Sequence, residues 1–206
     1  MRKKLLITLI VIAGAAVLMS TCQWRLGSDI ETLEQKAAAK KVLYGTDNTG
    51  PGGGKVFYYS ATGFTMTDNN QVCHYLEAVP ADMYSTLTWA SSGYYNTYIS
   101  GTDTAIGTGR KNTAVILATN ANAPAAKACK NYSNNGKTDW FLPSMDELNQ
   151  LYVNKSYVGN MSDNWYWSSS QYRNIYYYAW KQLFYDGSQL YYFKYYYYSV
   201  RAIRAF

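Results

Sequence analysis

The sequence predicts one exported domain of the α+β class, and three observations lead to this prediction. After the first 50 residues, helical patterns are confined to residues 112–152, strand patterns lie before and after them, and no helical pattern follows residue 160. Strands that flank helices and then dominate the C-terminal half are typical of α+β proteins. After residue 22, about 184 residues remain, which is enough for one domain with a sizeable core.

Residues 1–22 have the pattern of an export signal. Three basic residues precede an apolar stretch of about fifteen residues, shorter than the roughly 20 residues that a membrane-spanning helix needs. Cys22 follows at the position that resembles the lipidated first residue of a bacterial lipoprotein. We therefore expect a lipid anchor on Cys22 and a place in the bacterial cell envelope, on the outer surface. Ordinary secretion with nearby cleavage and an uncleaved membrane anchor are the alternatives.

The charge pattern gives no support for nucleic-acid binding. Loss of three basic residues with the signal lowers the formal net charge from +6 to +3. The remaining Lys and Arg residues are scattered, whereas nucleic-acid binding needs basic residues clustered on one face. We therefore expect no nucleic-acid partner.

Residues 23–49 are interpreted as a tether that contains a short helix, because apolar residues recur there at helical spacing in a polar stretch. The glycine-rich segment 50–54 then begins the folded domain, residues 50–206. This segment does not have the phosphate-loop motif. Its following lysine is not succeeded by Ser or Thr, and the first glycine of the motif is replaced by Thr49.

The first half of the domain predicts strands and then helix. Residues 55–59 are predicted as a strand, residues 64–67 as its hairpin partner, and residues 74–79 form a further apolar stretch. The Ala, Val, Ile and Leu content of residues 112–132 predicts helix, broken or restarted at Pro124.

The clearest helix follows Pro143. Ser144 and Glu147 have the spacing of a capping box, in which each side chain accepts a hydrogen bond from the backbone of the other residue. The apolar residues that follow share one face at helical spacing. They are Met145, Leu148, Leu151 and Tyr152.

The C-terminal part predicts four strands, at residues 165–169, 179–184, 190–194 and 200–206. The Asp186-Gly187 dipeptide predicts a hairpin turn between the second and third of them.

Cysteine and histidine usage favours structural roles. With Cys22 assigned to lipid, Cys73 and Cys129 are left in a compartment that permits disulfides, and a disulfide between them is the leading interpretation. Two separate buried thiols are the alternative. His74 is the single histidine and we expect it to be structural, and the acidic residues lack calcium-loop spacing. We therefore expect no metal, no cofactor and no enzymatic activity.

Tyrosine is concentrated near the C-terminus. Of 23 tyrosines, 12 lie between Tyr166 and Tyr198. A packed core does not need so many phenol hydroxyls, because each buried hydroxyl requires a hydrogen-bond partner. Tyrosine at this density is typical of a binding surface, where it supplies a large rigid contact area with a polar tip.

Particular motifs resemble those of a bacterial C-type-lectin-like family. Residues 138–149 (TDWFLPSMDELN) are similar to its DWxLPSxDELN segment, residues 165–170 with Ala179-Trp180 to its YWSSS…AW pattern, and residues 200–206 to VRAxRAF. Within that family the chain is most similar to variable lipoproteins of diversity-generating retroelements, the treponemal variable protein-like group. The resemblance covers about residues 50–206. It implies a C-type-lectin-like fold with two helices, which displays a hypervariable ligand-binding face at about residues 165–198.

Such a retroelement changes the adenines of a template copy, so an AAT or AAC codon becomes any codon that ends in T or C. The residues that these codons encode include Tyr, Asn, Asp, Ser, Ile, Phe, Leu, Arg and Gly, but never Trp, Lys, Gln, Glu or Met. Runs of encodable residues cover 172–178, 184–188, 190–193 and 195–198. The interrupting residues that cannot be encoded in this way are interpreted as constant: Trp180, Lys181, Gln182, Gln189 and Lys194.

Binding of a protein or a glycan is expected to depend on eleven tyrosines, with an arginine, an asparagine and an aspartate adding polar specificity. The candidate ligand-binding residues are Tyr172, Arg173, Asn174, Tyr176, Tyr177, Tyr178, Tyr185, Asp186, Tyr191, Tyr192, Tyr195, Tyr196, Tyr197 and Tyr198. Because side chains alternate along a strand, we expect two to four of the eleven tyrosines to belong to the core.

The constant interior is predicted to consist of aromatic and aliphatic residues, with Trp167 and Trp180 packed inward. The predicted core residues are Trp140, Leu142, Leu148, Leu151, Trp165, Trp167, Trp180, Val200, Ile203 and Phe206. Arg201 and Arg204 are either buried partners of acidic residues or solvated on an edge strand. The candidate acidic partners are Asp139, Asp146 and Glu147.

The motifs therefore predict a surface-displayed, hypervariable ligand-binding lipoprotein. A non-diversified adhesin or glycan-binding lipoprotein of the same fold is the alternative. The same broad fold also hosts enzymes that generate formylglycine, but no local motif places Cys73 and Cys129 in such a site.

Overall fold

The computed structural model describes residues 48–83 and 86–206 of the chain. The predicted signal, Cys22 and the tether up to residue 47 lie outside the described residues. The described part contains four α-helices and eight strands in three antiparallel sheets, which confirms the predicted α+β class. None of its helices is long and apolar enough to cross a membrane.

The first sheet joins the two ends of the domain. It consists of β1 (Lys55–Thr65), β2 (Val72–Ala78) and β8 (Ile203–Ala205), in the order β1-β2-β8. The predicted hairpin inside β1 is wrong, because residues 55–65 form one strand whose two ends both pair with β2. The residues between Tyr59 and Phe64 form a bulge, in which Gly63 has a φ of +78°, instead of reversing the chain.

The third sheet carries most of the tyrosine-rich region. It consists of β4 (Trp165–Gln171), β5 (Tyr178–Leu183) and β6 (Gln189–Phe193), paired in chain order. The predicted turn between β5 and β6 is confirmed. Asp186 accepts a hydrogen bond from the Ser188 N–H at 2.9 Å, and Gly187 has a φ of +85°.

The second sheet has only two short strands. Along the chain, each of them lies between a strand of the first sheet and a strand of the third. Its strands β3 (Leu87–Thr88) and β7 (Tyr197–Tyr198) pair Leu87 with Tyr198 and Thr88 with Tyr197. The predicted strand over residues 200–206 is shorter in the structure, since only β8 within it is regular.

Four helices fill the middle of the domain, rather than the predicted two. They are α1 (Gly109–Thr119), α2 (Pro124–Asn131), α3 (Met145–Val153) and α4 (Lys155–Val158). The restart at Pro124 is confirmed, with proline in the first turn, where its missing N–H is tolerated. The four residues of α4 are too few to give a periodic pattern, so the sequence offered no signal for it.

The predicted capping box is present at the start of α3. The Ser144 hydroxyl accepts from the Glu147 N–H at 3.3 Å, and the Glu147 carboxylate accepts from the Ser144 N–H at 2.7 Å. Glu147 is buried and also accepts from the Gly107 N–H at 2.9 Å. Burial raises the pKa of the Glu147 carboxyl to about 7, against the opposing effect of these hydrogen bonds.

The glycine-rich segment at residues 50–54 encloses a buried carboxylate of the protein itself. The N–H groups of Gly52 and Gly54 each donate to Glu77 at 2.9 Å. A Cβ at Gly52 would lie 2.7 Å from both Glu77 and Trp140, so a larger residue does not fit there. Backbone N–H groups in this arrangement favour an anion, and here the anion is Glu77.

Both arginines of the C-terminal motif are buried and paired. Arg204 bonds to Glu77 at 2.9 Å and to Asp139 at 2.5 Å, and Arg201 bonds to Asp82 at 2.9 Å. Burial with acidic partners is therefore confirmed, and Asp139 is one of the predicted partners. The other two predicted partners, Asp146 and Glu147, are wrong, because Glu147 is used by the capping box and Asp146 is exposed.

Most of the predicted core is buried. Seven of the ten predicted residues are nearly inaccessible to solvent: Trp140, Leu142, Leu148, Leu151, Trp167, Val200 and Ile203. The other three, Trp165, Trp180 and Phe206, are only partly buried. The prediction that Trp180 packs inward is wrong, because its ring makes edge contacts with Tyr172 and Tyr191 on the outer side of β5.

The predicted disulfide is not formed. Cys73 and Cys129 are both buried free thiols. They pack in two different hydrophobic clusters, Cys73 beside β1 and α3 residues and Cys129 beside α1 and Trp140. Burial raises the pKa of both thiols, which keeps them protonated and poorly nucleophilic. His74 has a structural contact, its Nδ1 lying 2.9 Å from the Ser60 carbonyl.

Candidate functional site

The eleven predicted binding tyrosines all retain solvent exposure, and we call them together the tyrosine surface. Seven of them are exposed: Tyr176, Tyr177, Tyr185, Tyr191, Tyr195, Tyr196 and Tyr197. The other four are partly buried: Tyr172, Tyr178, Tyr192 and Tyr198. None of the eleven is fully buried, but Tyr192 and Tyr198 pack against the main core cluster, which agrees with the lower end of the two to four tyrosines expected in the core. Tyr166, which precedes the tyrosine surface on β4, is fully buried.

Strand pairing explains which side chains of the third sheet face outward. In the β5–β6 pair, Tyr178 lies opposite Phe193 and Trp180 lies opposite Tyr191. The alternate residues of β5, Ala179 and Lys181, are buried, and Tyr192 lies opposite Ala179 on this buried side. Because alternate residues of a strand point to opposite sides, one side of β5 supplies the core and the other supplies the tyrosine surface.

Ring contacts connect most of the tyrosine surface into one layer. Tyr172 stacks on Tyr191 with ring centroids 3.9 Å apart, and Tyr177 stacks on Phe193 at 5.5 Å. Phe193 also contacts Tyr195 at 5.1 Å. Aromatic pairs of this kind stabilise one another beyond their buried area, so the layer is held in place by its own members.

Two predicted binding residues do not join this layer. Tyr185 and Asp186 lie in the β5–β6 turn, at the opposite end of the third sheet from the loop that joins β4 to β5. Gly187 in that turn lies against the Tyr152 ring of α3. The structure thus separates Tyr185 and Asp186 from the other candidate residues, although both are exposed.

The two polar candidates of the β4–β5 loop are exposed at the edge of the tyrosine surface. Arg173 pairs with Asp103 at 3.1 Å, and Asn174 is open to solvent. Arg173 and Asp103 also line a cavity of about 340 Å³ together with Tyr98 and Lys111.

A second segment, residues 91–101, contributes tyrosines that the sequence prediction missed. Tyr95 makes an edge contact with Tyr195 at 5.6 Å, and Tyr98 contacts Tyr176 at 5.5 Å. We call residues 91–101 the second tyrosine segment. Its signal in the sequence is the run Tyr94-Tyr95-Asn96-Thr97-Tyr98 between two glycines, which has the composition of the C-terminal tyrosine runs.

Lys194 anchors the second tyrosine segment beneath the surface. Its buried ammonium donates to the Thr97 carbonyl at 2.8 Å and to the Gln171 side-chain oxygen at 2.6 Å. The same Gln171 oxygen accepts from the Ile99 N–H at 3.0 Å. Burial lowers the pKa of Lys194 to about 7, because the charged form loses its hydration.

Lys181 is buried under three aromatic rings. Its ammonium lies 3.8 Å from the ring centroid of Trp165, 4.1 Å from that of Tyr198 and 4.4 Å from that of Tyr192. It also donates to the Tyr198 hydroxyl at 2.8 Å. Cation–π contacts offset part of the cost of burying the charge, and burial lowers the pKa of Lys181 to about 8.

Three of the five residues interpreted as constant are buried and hydrogen-bonded. Besides Lys181 and Lys194, the Gln182 amide donates to Asn149 at 2.8 Å and to the Gly187 carbonyl at 3.1 Å, which fixes the β5–β6 turn. The other two, Trp180 and Gln189, are partly buried and exposed respectively. Within the runs interpreted as variable, Phe184 is fully buried and belongs to the core.

The structure thus defines an α+β domain that presents a tyrosine layer on a buried interior. Residues 78–204 match the Lcl C-terminal domain family, and the matched segment is more than half of the chain. The protein therefore belongs to the Lcl C-terminal domain family. This membership is consistent with the variable-protein family that the motifs predicted. No curated protein matches the chain.

Proposed function

We propose that the protein is a surface-displayed ligand-binding lipoprotein whose tyrosine surface is diversified by a retroelement. In this proposal the domain binds a protein or glycan ligand and performs no catalysis. The retroelement changes the codons of the tyrosine surface, and selection retains the variants that bind.

One observation carries this proposal. Within residues 172–198, Lys181, Gln182 and Lys194 cannot arise from a mutated AAT or AAC codon, and all three are buried and hydrogen-bonded. The eleven tyrosines of the same segment, which can arise from such codons, all keep solvent exposure. Three positions that folding needs thus hold residues outside the reach of the mutagenesis, whereas buried Phe184 is the exception within its reach.

The energetics of substitution support the same division. Exposed side chains away from special contacts usually change stability by only about 0.5 kcal/mol when substituted. Truncation of a buried aromatic such as Trp167 costs about 3–5 kcal/mol. A retroelement confined to the exposed positions can therefore alter binding without unfolding the domain.

Sequencing of the genetic locus tests the diversification directly. We expect a near-identical repeat of the segment that encodes residues 172–198, next to a gene for reverse transcriptase. In that repeat, codons of the tyrosine surface should read AAT or AAC, and the codons for Lys181, Gln182 and Lys194 should be identical in both copies. A locus without the repeat would contradict the proposal.

The alternative of a non-diversified adhesin or glycan-binding lipoprotein makes a different prediction about natural variation. It requires a single ligand, so the same tyrosines should recur in other isolates. Diversification predicts different residues at positions such as Tyr176 and Tyr195, with Lys181 and Lys194 unchanged.

The lipid anchor is a separate part of the proposal. Growth of the producing bacterium with an alkyne-labelled fatty acid should label the full-length chain, and Cys22→Ser should abolish the label. Labelling of the Cys22→Ser variant would contradict lipidation at this position. Protease treatment of intact cells should remove the domain if it is displayed on the outer surface.

A further inference from the structure

We propose that the second tyrosine segment is a constant part of the ligand-binding face and that the face is built for protein ligands. In this proposal Tyr95 and Tyr98 contact every ligand that the diversified tyrosines bind. The inference rests on the proposed function, since it concerns the same face.

Contacts between side chains place the two segments side by side. Tyr95 meets Tyr195 with ring centroids 5.6 Å apart, and Tyr98 meets Tyr176 at 5.5 Å. Tyr98 and Tyr176 are both exposed, so each ring has a covered side and an open side. A ligand that covers Tyr176 or Tyr195 therefore reaches the neighbouring ring of the second segment.

A cavity provides a second link between the segments. Tyr98 and Asp103 line one part of the 340 Å³ cavity, and Arg173 from the β4–β5 loop lines another. The cavity thus joins a residue of the second tyrosine segment to a residue of the diversified run. A protruding side chain of a ligand that enters it would contact both.

The second tyrosine segment is held from inside the domain, independently of the diversified residues. Lys194 donates to the Thr97 carbonyl at 2.8 Å, and Gln171 accepts from the Ile99 N–H at 3.0 Å. Ser91 donates to Asn120 at 2.7 Å. Because these anchors lie outside the variable runs, the positions of Tyr95 and Tyr98 are preserved when the surface residues change.

The arrangement of the rings favours a protein ligand over a glycan. Sugars stack on open aromatic ring faces, whereas here many ring faces are covered by other rings. Tyr172 stacks on Tyr191 at 3.9 Å and an interplanar angle of 18°, and Tyr177 stacks on Phe193 at 5.5 Å and 13°. The layer then offers ring edges and hydroxyls, together with the Arg173–Asp103 ion pair, which is the mixture found in antibody paratopes.

A selection experiment tests the inference with a defined probe. The full-length domain is displayed with Tyr172, Tyr176, Tyr177, Tyr195 and Tyr196 randomised, and binders are selected against hen egg-white lysozyme. A parallel selection uses biotinylated maltopentaose. In the recovered lysozyme binders, Tyr95→Ala combined with Tyr98→Ala should weaken binding at least tenfold.

Two further variants distinguish a direct contact of Tyr98 with the ligand from an indirect effect on the structure of the domain. Tyr98→Phe keeps the ring beside Tyr176 and removes only the hydroxyl, and it should still weaken lysozyme binding by about threefold or more. Tyr59→Ala is the matched control, because Tyr59 has a similar exposure on β1 and should leave binding unchanged. Thermal unfolding of each variant identifies any loss of binding that follows from a loss of folding.

The outcomes distinguish the inference from the function on which it rests. Failure of both selections would overturn the proposed function and this inference with it. Lysozyme binders that tolerate Tyr98→Phe and the double alanine variant would overturn only the constant role of the second segment. Binders recovered on maltopentaose alone would overturn the protein ligand class.

Discussion

Lys194 donates a hydrogen bond to the backbone carbonyl of Thr97 across a separation of 97 residues, with a donor–acceptor distance of 2.8 Å. This single contact ties the end of β6 to the second tyrosine segment. Since Lys194 is buried and lies between two runs of tyrosines, it couples the position of the C-terminal tyrosine runs to that of the second tyrosine segment.

Substitution of Lys194 by methionine should destabilise the domain by about 1–3 kcal/mol, because the Thr97 carbonyl and the Gln171 side chain each lose a buried partner. Chemical denaturation measures this difference. Amide hydrogen exchange should increase in residues 91–101 more than in β1, which lies far from the contact. Equal exchange in both regions would contradict the anchoring role.

The same lysine should make stability depend on pH. Burial lowers the pKa of Lys194 to about 7 from its ordinary value of 10.5. Above pH 7 the unfolded chain therefore holds more protons at this position than the folded chain, so the free energy of unfolding should rise from pH 7 to pH 9. Lys181, with a pKa lowered to about 8, acts in the same direction. Denaturation curves of Lys194→Met should show a flatter rise, and an identical pH dependence would refute the assignment.

Removal of the rings over Lys181 should expose its ammonium. The combined variant Tyr192→Ser and Tyr198→Ser takes away two of the three rings around Lys181 and the hydroxyl that it contacts. We expect acetylation of Lys181 by an amine-reactive reagent, followed by mass spectrometry, to become at least tenfold faster. The variant with phenylalanine at both positions keeps the rings and should react nearly as slowly as the parent chain. Unchanged reactivity of the serine variant would show that the rings do not shield Lys181.

Exposed and buried aromatic residues should differ sharply in their tolerance of substitution. Tyr176→Ser and Tyr185→Ser should change the free energy of unfolding by no more than about 0.5 kcal/mol, because both side chains are largely exposed. Trp167→Ala should cost about 3–5 kcal/mol, because Trp167 is fully buried and its indole N–H donates to the Leu87 carbonyl. Comparable losses in the tyrosine and tryptophan variants would contradict the separation of surface from interior.

Local features of the fold could be predicted from the sequence. The capping box of α3 depends on Ser144 and Glu147, which lie three residues apart, and the helix restart depends on Pro124 alone. Each of these signals consists of residues that lie within one helical turn of each other, so it can be recognised without knowledge of the rest of the fold. The turn at Asp186-Gly187 is predictable for the same reason.

Features that depend on distant parts of the chain could not be predicted. Arg204 meets Glu77 from a separation of 127 residues, and no local pattern selects Glu77 over other acids. The expected Cys73–Cys129 bridge was based on the number of cysteines, which contains no information about which core cluster each thiol enters. Likewise, the alternation of side chains on β1 did not reveal that a bulge would continue the strand past Gly63.

The sequence predicted which type of residue forms the candidate site, but it did not predict how far the site extends. The tyrosines of residues 172–198 are accessible as expected, because their number alone exceeds what a core can satisfy with hydrogen bonds. The contribution of Tyr95 and Tyr98 depends on the folding of a distant loop against Tyr195 and Tyr176. Composition identified the type of surface, and only the three-dimensional contacts identified its full boundary.

The pairing of β8 with β2 places an essential part of the domain downstream of the tyrosine-rich segment. A frameshift among the codons for residues 172–198 would replace β8 together with Arg201 and Arg204, and the product would lack one edge of its first sheet. Under the proposed diversification, folding therefore acts as a check on the reading frame. Copies with insertions or deletions that shift the frame would be discarded as unfolded chains, whereas copies with point substitutions would keep β8.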